Sequence, residues 1–253
     1  MDAVRPSVFC CRWSTHTQRQ RFHHAVWEVV QKLRLDQDVS VSVFETNIRV
    51  VGGLLSAHTL MVMDMAAASS ARQAGRYNEF LNSYPSFLCD APPKVHAETL
   101  RRQRPTFGSA GASVNEEVPM GWTVPYANQL LLLADELGRR LLPAFDTPTG
   151  IPFGSVNLRH GVKDDESPIT CTACATTFLL EFGLLSELTG DPVFSRAARR
   201  ATEAVAGRRS ELGLVGGHIH VETGGWTHVD SGVGSYFDSF VAQACRDGHS
   251  ETF

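Results

Sequence analysis

Residues 19–35 (RQRFHHAVWEVVQKLRL) carry apolar side chains at helical spacing. Phe22, Ala25, Val26, Val29, Val30 and Leu33 fall at i, i+3, i+4, i+7, i+8 and i+11. That pattern predicts an amphipathic helix, broken by the polar stretch from Asp36 to Asp38. Residues 43–65 (VFETNIRVVGGLLSAHTLMVMDM) predict a second helix. Its Gly52–Gly53 pair costs roughly 1 kcal/mol per glycine against alanine, so the helix is expected to pack closely on a neighbour. The alternation of Val39, Val41 and Val43 leaves a strand over 39–51 as the alternative.

Residues 126–142 predict a third helix stopped by Pro143, and residues 170–189 a fourth, ended by Gly190. Asp191–Pro192 then reads as an N-cap followed by proline at the first helical position, with the helix running to about Arg209. A short final helix is predicted over 235–246. Three stretches between these helices read as loops: 66–125, which is proline-rich and reads as a long insertion; 144–169; and 213–234, with at most a short strand. Helices alternating with long loops suit an all-α fold of side-by-side helical hairpins. They do not suit a parallel α/β sheet, which needs strong strands between the helices.

Composition changes this picture little. The chain of 253 residues is 43% hydrophobic and 20% charged, as expected of a globular protein with a real core. A net charge of −4 gives no broad basic surface, so no nucleic-acid partner is expected. The sequence has no run of 18 apolar residues, and no transmembrane segment is expected. Met1 to Arg12 lacks an apolar stretch of signal-peptide length; either a cytosolic protein or a targeting segment missing from this chain is expected. No N-glycosylation sequon is present.

Four features carry candidate chemistry. Cys171-Thr-Ala-Cys174 is a C-x-x-C; a redox role would need it to follow a strand and open a helix, and a zinc role would need a second ligand pair. Neither context is evident, so the preferred reading is small residues on a buried helix face, or one cysteine of a structural disulfide. His218, His220 and Glu222 alternate with apolar residues and would share one face of a strand, as metal ligands can. Solvated strand or loop residues are the preferred reading. Glu45 and Glu181 each interrupt an apolar helical run, and a carboxylate on an apolar background has a raised pKa, which suits a general acid. Arg49 stands four residues after Glu45, and on spacing alone the two read as an i,i+4 ion pair. Nucleophile elbows, phosphate loops and dinucleotide fingerprints are absent.

Four segments, SVFETNIRVVGGLLSAH (42–58), LGRRLLPAFDTPTGIPFGSVNLRHGV (137–162), ITCTACATTFLLEFGLLSELTGDPVF (169–194) and RSELGLVGGHIHVETGGWTHVDSGVG (209–234), together resemble the ER degradation-enhancing α-mannosidase-like proteins of glycoside hydrolase family 47. The resemblance covers roughly residues 19–62 and 126–244. It implies an (αα)7 barrel of helical hairpins in the complete domain, of which 1–253 would be a partial, N-terminal portion with the insertion at 66–125. It also implies an inverting α-1,2-mannosidase acting on high-mannose N-glycans of misfolded glycoproteins, located in the endoplasmic reticulum, with ER oxidoreductases as partners. Calcium is the implied cofactor, held by a C-terminal motif that this chain lacks. Carried over by motif, Glu45 matches the catalytic acid, Arg49 an arginine near the bound sugar, and Glu181 an active-site glutamate. An inverting mechanism needs a second carboxylate roughly 6.5–9.5 Å away to activate water.

The departures set a further expectation. After Gly234 the chain runs straight into Ser235-Tyr236-Phe237-Asp238, where the family has a short stretch ending in a catalytic aspartate. Asp230 and Asp238 match other positions and do not replace it. Cys174 stands where the family usually has glycine. The chain alone is therefore expected to lack mannosidase activity, and a glycan- or glycoprotein-binding relative without catalysis is the alternative function.

Overall fold

The structure, a computed structural model, describes residues 16–73, 126–230 and 232. Helix α1 spans His16–Lys32, as the 19–35 spacing predicts, and turns Val26 into the core. The chain then forms strand β1 (Ser40–Ser42), which pairs antiparallel with β2 (Ser155–Asn157) through Val41 opposite Val156. Only these three residues of 39–51 are a strand, so the helical reading of 43–65 holds. The helical run starts with α2 (Val43–Glu45), where the Ser42 hydroxyl accepts the Glu45 N–H at 3.3 Å. It continues through a π-helical turn, Thr46–Val51, into α3 (Gly52–Gln73). In that turn the Gly52 N–H reaches back to the carbonyls of both Arg49 and Asn47. Helix α3 extends past residue 66, which moves the start of the predicted insertion; residues 74–125 lie outside the described residues.

Helix α4 (Gln129–Leu141) buries Leu130, Leu131, Ala134, Leu137 and Leu141, and a 3-10 turn, Leu142–Phe145, ends it around Pro143. The segment predicted as one helix over 170–189 is instead three elements: strand β3 (Ile169–Cys171), helix α5 (Thr172–Thr176) and helix α6 (Leu179–Thr189). The reason is tertiary pairing. Thr170 and Cys171 stay extended because they pair with β4 (His218–His220), and the Thr172 N–H bonds to Gly217 O at 3.1 Å. The second break falls at Thr177 and Phe178, where the Phe178 ring is fully buried and meets Phe145 edge-on at 4.9 Å. Gly190 ends α6 in the left-handed conformation, φ 71°, with its N–H on Ser186 O at 2.8 Å.

Helix α7 (Val193–Ala206) starts one residue after Pro192 and stops short of Arg209. The N-cap is Pro192 rather than Asp191, one residue later than the sequence predicts; Asp191, just before it, still accepts the Val193 N–H on its carboxylate at 3.1 Å. Helices α6 and α7 form a hairpin, and α4 closes on them at Gly138. A Cβ there would lie 2.8 Å from Leu185 and 2.9 Å from Phe194. The region read as loop over 213–234 forms β4 and a second strand, β5 (Trp226–His228), so β3, β4 and β5 make one antiparallel sheet. The fold is thus helical with two small sheets that the sequence pattern left out. The final helix read over 235–246 lies outside the described residues.

A main core joins α1, α3, α4, α6 and α7, with Phe145, Phe178, Phe182 and Phe194 in sequential ring contact. A smaller core under the second sheet gathers Ile151, Val205, Ile219 and Val221. The helical run Val43–Ala66 is long and apolar enough, by length and composition alone, to cross a membrane, a test that a core helix also passes. Here it packs Val51, Leu54, Leu55 and Met61 into the core and buries Asn47 and His58.

Candidate functional site

The site is built on the π-helical turn. Packing an extra residue into one helical turn displaces the side chains that follow, and such turns recur at functional sites. The turn contains Asn47 and Arg49 and follows directly on Glu45. The Arg49 Nε donates to Glu45 Oε2, so the i,i+4 ion pair read from spacing is present. Glu45 raises the pKa of the Arg49 guanidinium above its ordinary value, by hydrogen bonding and by charge. The Glu45 side chain is 46% exposed and that of Arg49 72% exposed. The apolar background expected around Glu45 from its neighbours in sequence is therefore not what surrounds its carboxylate.

Glu181, in the first turn of α6, is bound from the other side of the chain. The Asn47 amide donates to Glu181 Oε2 at 3.0 Å and lies 3.5 Å from the Thr177 carbonyl. Asn47 is fully buried, and its Oδ1 finds no protein partner. Gly52 keeps the helix low beneath the same carboxylate: a Cβ there would sit 3.4 Å from Glu181 Cγ and 3.6 Å from Oε1. The close packing expected of the glycine pair thus belongs to Gly52 alone, because a Cβ at Gly53 would meet nothing within 4 Å.

Glu45 and Arg49 form one pair, and Asn47 and Glu181 form another, with both pairs anchored in one continuous helical run. Asn47 was not singled out from the sequence. An amide inside the apolar run FETNIRVV was the available signal, since a polar side chain buried at mid-helix needs a partner elsewhere.

The other two candidates resolve differently. Cys171 and Cys174 are disulfide-bonded to each other, and the pair does follow a strand and open a helix, a context the sequence reading had not found. His220 Nδ1 accepts the N–H groups of Glu222 and Thr223 at 3.3 and 3.4 Å, so it closes the turn after β4. His218 stacks edge-on against His228 with ring centroids 5.2 Å apart. Among the described residues, no three or more His, Cys, Asp or Glu side chains gather as a metal site.

The Glycosyl hydrolase family 47 profile matches residues 17–245 of the chain. ER degradation-enhancing alpha-mannosidase-like protein 2 of Mus musculus is 44% identical over 200 residues, covering 79% of this chain and 26% of that protein. Alpha-mannosidase I MNS4 of Arabidopsis thaliana is 43% identical over 223 residues, covering 88% of this chain and 27% of that protein. The chain therefore spans about a quarter of the length of these relatives. Among solved structures, the alpha-1,2-mannosidase from Trichoderma reesei superposes with a TM-score of 0.57 at 22% identity, covering 88% of this chain and 37% of that one, which is a likeness of fold.

Proposed function

The chain belongs to glycosyl hydrolase family 47, and from that membership we propose that it supplies part of a site that removes α-1,2-linked mannose from high-mannose N-glycans. The observation that carries this reading is the bond from Asn47 to Glu181, which fixes one candidate carboxylate against the helical run that bears the other. Glu181 is half-buried and held, and suits acceptance of hydrogen bonds from sugar hydroxyls. Glu45 and Arg49 are exposed enough for a glycan to reach. For Glu45 to hand a proton to a glycosidic oxygen, Arg49 turns from the carboxylate to the sugar.

An inverting course needs a second carboxylate to activate water on the opposite face of the ring. The reading includes an (αα)7 barrel for the whole domain, consistent with the α6–α7 hairpin and the likeness of fold. It also includes work on misfolded glycoproteins in the endoplasmic reticulum, supported by the names of the relatives. Among the described residues no group of three or more His, Cys, Asp or Glu side chains gathers to hold the family's calcium.

A second reading, glycan binding without hydrolysis, is favoured by the direct run from Gly234 into Ser235, where the resemblance implies a catalytic aspartate. Calorimetry with a high-mannose glycan and an assay of mannose release from an α-1,2-mannobiose separate the two. Release that Glu45→Gln abolishes supports hydrolysis. Binding that Glu181→Gln abolishes, with no release, supports the second reading. A folded chain that neither binds nor releases would sink both.

A further inference from the structure

The Cys171–Cys174 disulfide belongs to neither the Glu45–Arg49 pair nor the Asn47–Glu181 pair. Its surroundings combine three features. First, β3 ends at Cys171 and α5 begins at Thr172, so the disulfide straddles a strand-to-helix junction. Second, the two sulfurs differ in access: Cys171 is buried at 6% exposure, while Cys174 is half-buried and the more open to an incoming group. Third, the register sets His218 directly opposite Cys171 and His228 directly opposite His218.

The bond from Thr172 N–H to Gly217 O makes 172/217 a hydrogen-bonded pair. Cys171/His218 is then the neighbouring non-hydrogen-bonded pair, the kind in which Cα atoms approach to about 4.5 Å and side chains lie closest. Strand alternation supports the same side: Ile219, between the two β4 histidines, is fully buried in the smaller core, so His218 and Cys171 share the opposite face. The titratable groups around His218 on this sheet are Cys171 on β3, His228 on β5 and His220 two residues along β4.

We propose that Cys171–Cys174 is a thiol–disulfide exchange site, with Cys174 the sulfur attacked by an incoming thiolate and His218 the proton donor to the departing Cys171 sulfur. An incoming thiolate attacks Cys174 Sγ. A sulfur–sulfur bond forms between it and Cys174, the Cys171–Cys174 bond breaks, and the electron pair leaves on Cys171 Sγ. That thiolate takes a proton from His218. A second thiol then attacks the mixed disulfide, expels Cys174 as a thiol, and leaves as a disulfide with the first. Two thiols are oxidised and the cysteine pair is reduced; oxidised glutathione reverses the sequence. Nothing in this proposal depends on the mannose-binding reading, and either can fail without the other.

The test uses the whole chain in a graded series of reduced and oxidised glutathione, quenched by alkylation and read by peptide mass spectrometry. A reduced single-cysteine peptide is run in parallel to separate small thiols from protein thiols as the source. The wild-type pair is expected to pass from disulfide to dithiol within the series. Given oxidised glutathione or the symmetric disulfide of the peptide, Cys171→Ser is expected to accumulate the corresponding adduct on Cys174 while the other half of that disulfide leaves as a thiol, and His218→Gln to slow reduction of the wild-type pair by about tenfold or more and flatten its pH profile. A wild-type pair that stays oxidised throughout overturns the proposal, and this reading needs no variant to fold. An adduct from neither disulfide in folded Cys171→Ser also overturns it, and an unchanged rate and pH profile in His218→Gln removes the histidine from it.

Discussion

Asn47 donates its amide to Glu181 Oε2 at 3.0 Å across 134 positions of sequence. The donor is fully buried, and a hydrogen bond of this kind contributes roughly 1 kcal/mol net, while losing it from a buried group costs about 1–3 kcal/mol. Asn47→Ala removes this amide donor from the Glu181 oxygen and from the Thr177 carbonyl. The expected outcome is a loss of about 2 kcal/mol in urea unfolding, together with weaker binding of a high-mannose glycan. Asn47→Asp, which sets a second carboxylate against Glu181, is expected to cost more. If both variants unfold at the wild-type midpoint, Asn47 does not hold Glu181.

Gly53 on α3 and Gly138 on α4 separate helix propensity from packing. Gly53 is helical, and a Cβ there meets nothing within 4 Å. Gly53→Ala is therefore expected to stabilise by about 0.5–1 kcal/mol, through propensity alone. Gly138 on α4 is the opposite case, because its Cβ would fall 2.8 Å from Leu185 and 2.9 Å from Phe194, both fully buried. Gly138→Ala is expected to cost about 1–3 kcal/mol by overpacking. Thermal unfolding of the two variants should move in opposite directions, and a stabilising Gly138→Ala would contradict the close approach of α4 to the α6–α7 hairpin.

These contrasts show what the sequence made legible. Helical spacing placed α1, α4, α6 and α7, and Gly190 and Asp191 marked the α6–α7 turn, because each of those signals is local. The same spacing could not foresee that Thr170 and Cys171 would be drawn into a sheet by β4, nearly 50 residues on, whereas the preferred non-metal reading of His220 agrees with its place closing the turn after β4. The site divides in the same way. The Glu45–Arg49 pair is an i,i+4 relationship and was legible. The hold of Asn47 on Glu181 is long-range, and the long FETNIR and LLEFG matches pointed to its two ends without joining them.

His58 on α3 makes stability depend on pH. It is fully buried, its Nδ1 lies 2.7 Å from the Tyr126 hydroxyl, and its Nε2 has no partner. Burial lowers its pKa from 6.5 to about 4 and pushes the Tyr126 hydroxyl up. The unfolded chain therefore binds a proton that the folded chain refuses between these values. The contribution is fully present above pH 6.5 and is lost as pH falls to about 4, amounting to about 3 kcal/mol over the window. Urea unfolding at pH 7 and pH 4.5 should differ by a large part of that amount in the wild type. The difference should shrink in His58→Gln, and an unshrunk difference would mean other groups carry it.

Arg49 distinguishes a surface ion pair from a sugar contact. An exposed i,i+4 pair adds little to stability, since solvent screens the charges and two long side chains must be held in one arrangement. Arg49→Ala is therefore expected to leave the unfolding midpoint unchanged. If Arg49 serves only Glu45, glycan binding should also be unchanged, and Arg49→Lys should match wild type. If Arg49 turns to the sugar as proposed, Arg49→Ala should weaken binding by about tenfold or more, and Arg49→Lys should not restore it, because a lysine lacks the planar fork of donors. Calorimetry of the two variants with one high-mannose glycan decides the matter. Wild-type affinity in both would return Glu45 and Arg49 to the plain ion pair that their spacing first suggested.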